Sequence, residues 1–143
     1  MSEPRAATVK QVEESAATGK VAEIFADIKR TKNIDFVPAF WRTLAVHPLE
    51  LELVWTTLKR LMHPEAEGRT GLLDARTREI IAVAVSATNG CRYCVNSHTA
   101  ALRKLGLSTE ALAEVLAIAG LFNMTNALAE GYQIEPDVFP PLD

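Results

Sequence analysis

Apolar residues recur along this chain with a helical period. In KVAEIFADIKR, Val21, Ile24, Phe25 and Ile28 fall at i, i+3, i+4 and i+7, which predicts one helix with one buried face. The stretch TKNIDFVP carries a proline and no stripe, and reads as a connection. A short helix from Pro38 to about Ala45 follows, with Phe40, Trp41 and Leu44 turned inward. Pro48 suits the first turn of a third helix, whose stripe is Leu51, Trp55, Leu58, Leu61 and Met62, and which stops at His63–Pro64. After the polar loop PEAEGRTG, Asp74 is placed to cap a helix through ARTREIIAVAVSA to about Thr88. Asn89–Gly90 breaks it, and Cys91 to Leu105 forms the next helix, ended by Gly106. Ser108 caps a last helix, striped by Leu112, Val115, Leu116, Ala119 and Phe122, that runs to about Ala129.

The expectation is an all-α, single-domain bundle of about six helices. Residues 1–17 form a polar, loosely packed arm, 18–130 the helical domain with a core motif at 74–118, and 131–143 a proline-containing tail. A strand is the rival reading for IIAVAVSA, because Val, Ile and a following Asn-Gly are strand and hairpin signals. Strand, turn, Cys-x-x-Cys and helix would resemble a thioredoxin-type arrangement. The helix start LDARTRE just upstream, and the lack of strand candidates beyond Leu105, favour the helix.

Composition narrows the classes. With 143 residues and 48% apolar residues, the chain can build a core without disulfide or metal staples. Its net charge of −3 argues against a nucleic-acid surface, which needs clustered excess base. The longest unbroken apolar run, Ile80–Val85, is far shorter than the roughly 20 residues a bilayer requires. The polar start MSEPRAATVKQ lacks the apolar stretch of a secretory signal, so the expectation is a soluble, cytoplasmic protein with no membrane partner. His47 and His63, each before a proline, read as helix-end residues near the C-terminal dipole. Trp41 and Trp55 read as core or subunit interface. Asn123-Met124-Thr125 matches a glycosylation acceptor that carries no meaning without a signal peptide.

The chemistry concentrates in one segment. Cys91 and Cys94 are the whole thiol inventory and form one Cys-x-x-Cys pair. On a helix Cys94 and His98 are one turn apart, so imidazole and thiol can meet. Cys91 lies seven residues from His98, a rise of roughly 10 Å, out of reach. A neighbouring base raises a thiol's thiolate fraction, which makes Cys94 the candidate nucleophile. Cys91 is then placed to condense with a sulfenic acid on Cys94. The pair also sits near a helix N-terminus, where backbone N–H groups favour a thiolate. If helices 74–88 and 91–105 pack as a hairpin about residue 88 or 89, Glu79 faces His98, and a carboxylate buried in REIIAVAV needs such a partner. Alternatives stay open. The cysteines can be small packing residues, Glu79 a surface carboxylate and His98 a core histidine. Cys-x-x-Cys with a later His is also zinc-like, although three ligands on one regular helix do not converge easily on a tetrahedral ion, so neither metal nor cofactor is expected.

Glu79, eleven intervening residues, Cys91-Arg92-Tyr93-Cys94 and His98-Thr99-Ala100-Ala101 together resemble the alkylhydroperoxidase AhpD-like core of the carboxymuconolactone decarboxylase superfamily. The likeness is strong over residues 70–118, and weaker back through FVPAFWRTLAVHP. It implies an all-α fold and a thiol peroxidase or disulfide oxidoreductase. Cys94 would attack the hydroperoxide, Cys91 would resolve, and Glu79 and His98 would relay protons. It implies an external dithiol or thiol-protein reductant and a homo-oligomer, a trimer or hexamer. The best-studied members carry a His directly before the second Cys, where this chain has Tyr93, an auxiliary candidate whose phenol is a poor base at pH 7. Decarboxylase members lack the Cys pair, so lactone decarboxylation is not implied. The alternative from another class is a non-catalytic helical oligomer with redox-sensing or structural thiols. Trp55 and the Phe122 region are the expected subunit interface.

Overall fold

The computed structural model describes residues 7–142, so the first six residues of the expected arm and the last of the expected tail lie outside the described residues. Six α-helices and two short 3-10 turns make up the described chain, with no strand among the described residues. The helices are α1 (Gly19–Lys32), α2 (Ala39–Leu44), α3 (Pro48–Met62), α4 (Ala75–Asn89), α5 (Arg92–Lys104) and α6 (Thr109–Gly131). The all-α expectation holds, and the segment IIAVAVSA lies inside α4. The chain divides into two compact units, 1–72 and 73–143, with the boundary just ahead of the expected core motif.

In the first unit, Ile24, Phe25 and Ile28 of α1 pack with Val37, Trp41, Ala45, Leu51 and Trp55. Trp41 and Trp55 meet edge to face, ring centroids 5.1 Å apart. Buried Trp55 keeps its indole N–H satisfied by donating to Asp27 Oδ2 at 2.8 Å, and Lys59 Nζ donates to the same carboxylate at 2.9 Å. Burial pushes the Asp27 carboxyl up, but the hydrogen bonds from Lys59 and Trp55 and the charges of Lys59 and Arg30 outweigh it and hold it below the usual carboxylate range.

Several expectations need correction here. Trp55 is core, not interface, whereas Phe40 and Leu61 are exposed because short α2 and the last turn of α3 are covered on one side only. His47 does not serve a helix C-terminus. It is the N-cap of α3, its Nδ1 accepting the Glu50 N–H at 3.2 Å. Nor is the described part of the arm loose. Val12 N–H donates to the Arg42 carbonyl at 3.0 Å, and Gln11 Nε2 to Thr43 Oγ1 at 3.0 Å. Glu14, in the 3-10 turn Glu14–Ala16, accepts from Lys29 Nζ at 2.9 Å and Val37 N–H at 2.6 Å, and these bonds hold its carboxyl below the usual range. Polar side chains tie this segment down, and no apolar stripe announces such bonds.

In the second unit each helix end is closed locally. Asp74 caps α4, accepting from Thr77 N–H at 2.7 Å, and Ser108 caps α6, accepting from Ala111 N–H at 3.1 Å. Gly90 takes the left-handed conformation (φ 75°) that ends α4. Val83, Leu102 and Leu107 form the core, with Ile80, Ala111, Leu112 and Val115 against it. Thus α6 turns a narrow stripe inward, and Leu116 and Phe122, expected on that stripe, are exposed. None of the residues of α6 is buried, and by length and composition it is apolar enough to cross a bilayer. A count of unbroken apolar residues passes over it because Gly120, Asn123, Thr125 and Asn126 interrupt the run. Residues 134–142, the described part of the tail beyond Gln133, have no regular element and expose Ile134, Val138, Phe139 and Leu142.

Candidate active site

The site is built at the turn between α4 and α5. Gly90 reverses the chain, and the Cys91 N–H then reaches back to the Ser86 carbonyl at 2.9 Å, satisfying an open carbonyl of the last turn of α4. Cys91 is not the first residue of the regular helix, as the periodicity suggests, but its N-cap, and Arg92 opens α5. The Cys91 Sγ accepts the backbone N–H of Cys94 at 3.2 Å, as a serine oxygen would in the same place. This geometry brings the sulfurs together: Cys91 and Cys94 are joined in a disulfide, their Cα atoms 5.3 Å apart.

The hairpin count across the turn also finds its contact. Glu79 of α4 and His98 of α5 meet at 2.6 Å between Oε2 and Nδ1. Glu79 is buried, 8% exposed, whereas the His98 side chain keeps 23% of its surface. An ionised carboxylate can only accept, so Nδ1–H is the donor in this contact. The pair satisfies a carboxylate that would be costly to bury alone. Cys94 and His98 lie one turn apart on α5. Tyr93 is 45% exposed beside the pair. The arrangement thus holds a disulfide-bonded sulfur pair, an imidazole one turn on, and a carboxylate in contact with that imidazole.

One feature lay beyond the helical count, the N-cap placement of Cys91. Its signal was present in Asn89-Gly90-Cys91, since a glycine that ends one helix leaves the next residue in the capping position of a helix that follows immediately.

The profile of the carboxymuconolactone decarboxylase family matches residues 56–134. The chain belongs to that family. Among solved structures, the alkylhydroperoxidase AhpD core from Rhodospirillum rubrum is similar, with a TM-score of 0.85 and 41% identity over 93% of this chain and 96% of that one. The alkyl hydroperoxide reductase AhpD of Mycobacteroides abscessus is 45% identical over 49 residues, 34% of this chain and 28% of that protein. That of Maricaulis maris is 41% identical over 56 residues, 39% of this chain and 32% of that protein. The chain therefore spans about a third or less of the length of these curated relatives. As a family member it is of AhpD type, with the Cys-x-x-Cys pair present and bonded.

Proposed function

We propose that this family member is a thiol-dependent peroxidase that reduces hydroperoxides through Cys91 and Cys94. The observation that carries the reading is the contact between buried Glu79 of α4 and His98 of α5, the helix that carries Cys94 and is capped by Cys91. In the reduced protein, His98 takes the Cys94 proton, and Glu79 stabilises the imidazolium that forms. The Cys94 thiolate attacks a peroxide oxygen. The O–O bond breaks, the alcohol leaves with a proton from His98, and Cys94 becomes a sulfenic acid. Cys91 attacks that sulfur, water departs, and the disulfide forms. An external dithiol or thiol protein, of the kind a reducing cytoplasmic setting supplies, returns the pair to thiols. Tyr93 lies at the edge of this path as a hydroxyl donor to the departing oxygen.

Assembly belongs to the same reading. A helix apolar on most of its circumference is a buried element of something larger, and α6 offers Leu116, Ile118, Leu121, Phe122, Met124 and Leu128 to solvent. Neighbouring copies of the chain cover it in a homo-oligomer, a trimer or hexamer.

The test is stoichiometric. Reduced protein mixed with tert-butyl hydroperoxide should yield one alcohol per two thiols lost, and should turn over when a dithiol is supplied. Thiols that survive the peroxide unchanged would remove the proposal and favour packing or sensing cysteines.

A further inference from the structure

Resting on the proposed assembly, we infer that residues 134–142 are an exchanged arm: in the oligomer they lie along α6 of a second copy and cover its apolar outer face.

Two apolar surfaces of the chain stand open, and they match each other. The first is α6. Its stretch Val115–Ala129 holds no charged residue, is bracketed by Glu114 and Glu130, and is roughly 21 Å long. Leu112 and Val115 turn inward to the core of the second unit. Leu121, Met124 and Leu128, at i, i+3 and i+7, share the opposite side and are exposed. The second surface is the segment that follows. Val138, Phe139 and Leu142 leave 83%, 76% and 97% of their surface open, and Ile134 is exposed with them. Apolar side chains this dense on a short segment mark an interaction surface.

The backbone prepares the segment for docking. Gln133 takes the left-handed conformation (φ 51°), its N–H donating to the Glu130 carbonyl at 3.0 Å and the Ile134 N–H to the Ala129 carbonyl at 3.1 Å. These paired bonds end α6 at a fixed residue and turn the chain off the helix axis. Beyond that point Pro136, Pro140 and Pro141 fix φ and remove donors, which excludes a helix and favours an extended run. At about 3.1 Å per residue, Ile134 to Leu142 spans roughly 25 Å, close to the length of the charge-free stretch of α6. A proline-stiffened segment also has little conformational freedom left to lose on binding.

The occupant of α6 is the arm of another copy, because within one chain both surfaces stay open to solvent. No Lys, Arg or His follows Lys104, so helix and arm are both acidic and charge attraction does not join them. Apolar contact does. Each large side chain of the arm removes on the order of 100 Å² from water when it is covered. Two exchanged arms, with the α6 surface beneath them, bury about 1,600 Å², the area of a standard stable interface. The exchange closes in a two-fold pair or around a ring, each copy giving one arm and receiving one.

The absence of basic residues beyond Lys104 makes the contact directly readable, since trypsin releases α6 and the arm together as one peptide, 105–143. Phe139→p-benzoylphenylalanine keeps an apolar aromatic group in the arm of the full chain, and irradiation bonds it to what it touches. The expected product is two 105–143 peptides joined, position 139 of one linked to residues 116–128 of the other. A link inside a single 105–143 peptide, a link between two arms, a link to any other tryptic peptide, or no link overturns the inference. Val138→Ser with Phe139→Ser provides a second measurement. Both side chains are exposed in the single chain, so the variant should keep the parent's far-UV spectrum, while its association constant by sedimentation should fall at least tenfold. An unchanged association constant also overturns the inference. A parent that is oligomeric without the expected link removes the arm alone, whereas a parent that is monomeric at micromolar concentration removes it together with the proposed assembly.

Discussion

Glu79→Gln isolates the charge of the carboxylate from its position. The amide oxygen of Gln still accepts from His98 Nδ1, so the 2.6 Å contact has an isosteric replacement and His98 keeps its orientation. A hydrogen bond to a charged group contributes roughly 1.5–3 kcal/mol against about 1 kcal/mol for a neutral one. Relief of a buried charge offsets part of the difference, so the variant should lose no more than about 1 kcal/mol, a few degrees in Tm. The rate should change more. When His98 takes the Cys94 proton, the imidazolium faces a carboxylate in the native protein and an amide in the variant. Unit charges about 4 Å apart at an effective dielectric of 20 interact by about 4 kcal/mol. The 23% exposure of the His98 side chain screens this to about half. About 2 kcal/mol corresponds to a roughly 30-fold slower attack. The assay is single-turnover consumption of hydroperoxide by reduced protein near pH 7, beside a thermal melt. A rate within twofold of the parent, with an unaltered pH profile, would refute the relay. A melt lowered by more than about 10 °C would instead assign Glu79 a structural role.

Cys91→Ser should still consume one equivalent of peroxide, with sulfenic acid accumulating on Cys94 and trapped by dimedone, whereas Cys94→Ser should consume none. Gly90→Ala should destabilise by about 1 kcal/mol in chemical denaturation, because a Cβ at φ 75° is strained although nothing lies within 4 Å of it, and Gly90→Asn should cost less. The Asp27 carboxyl is held below its unfolded value, so its pairing with Lys59 and Trp55 contributes fully above about pH 4 and is lost as pH falls through the folded value. Asp27→Asn should therefore flatten the acid limb of a stability profile and lower the neutral plateau. Leu121→Glu with Phe122→Glu on α6 should reduce the sedimenting mass, and a parent chain that sediments as a monomer at micromolar concentration removes the proposed oligomer.

What the sequence carried, and what it did not, follows the range of the forces involved. Helix stripes and caps are local, so α1, α3 and the Asp74 and Ser108 caps were readable within a residue or two. The Glu79–His98 contact is distant in sequence but was readable because a turn of two residues leaves almost no freedom in the pairing of α4 with α5. The tie of Glu14 to Lys29 and Val37 was hidden, because polar partners across a loop leave no periodic trace. The inward face of α6 was misplaced for the opposite reason. Residues of similar hydropathy surround that helix, so the pattern does not say which side meets α4.

The turn at Gly90–Cys91 works as a length gauge. Glu79 stands ten residues before Asn89 and His98 nine after it, so the two are matched rungs counted outward from one fold in the chain. One extra residue there would turn α5 by about 100° and slide it about 1.5 Å. Both helices would survive, and the imidazole would face away from its carboxylate. Side-chain substitution is thus a mild perturbation of this centre compared with insertion or deletion. A relative that keeps every motif residue but changes the separation of Glu79 from Cys91 should be expected to have lost the pairing.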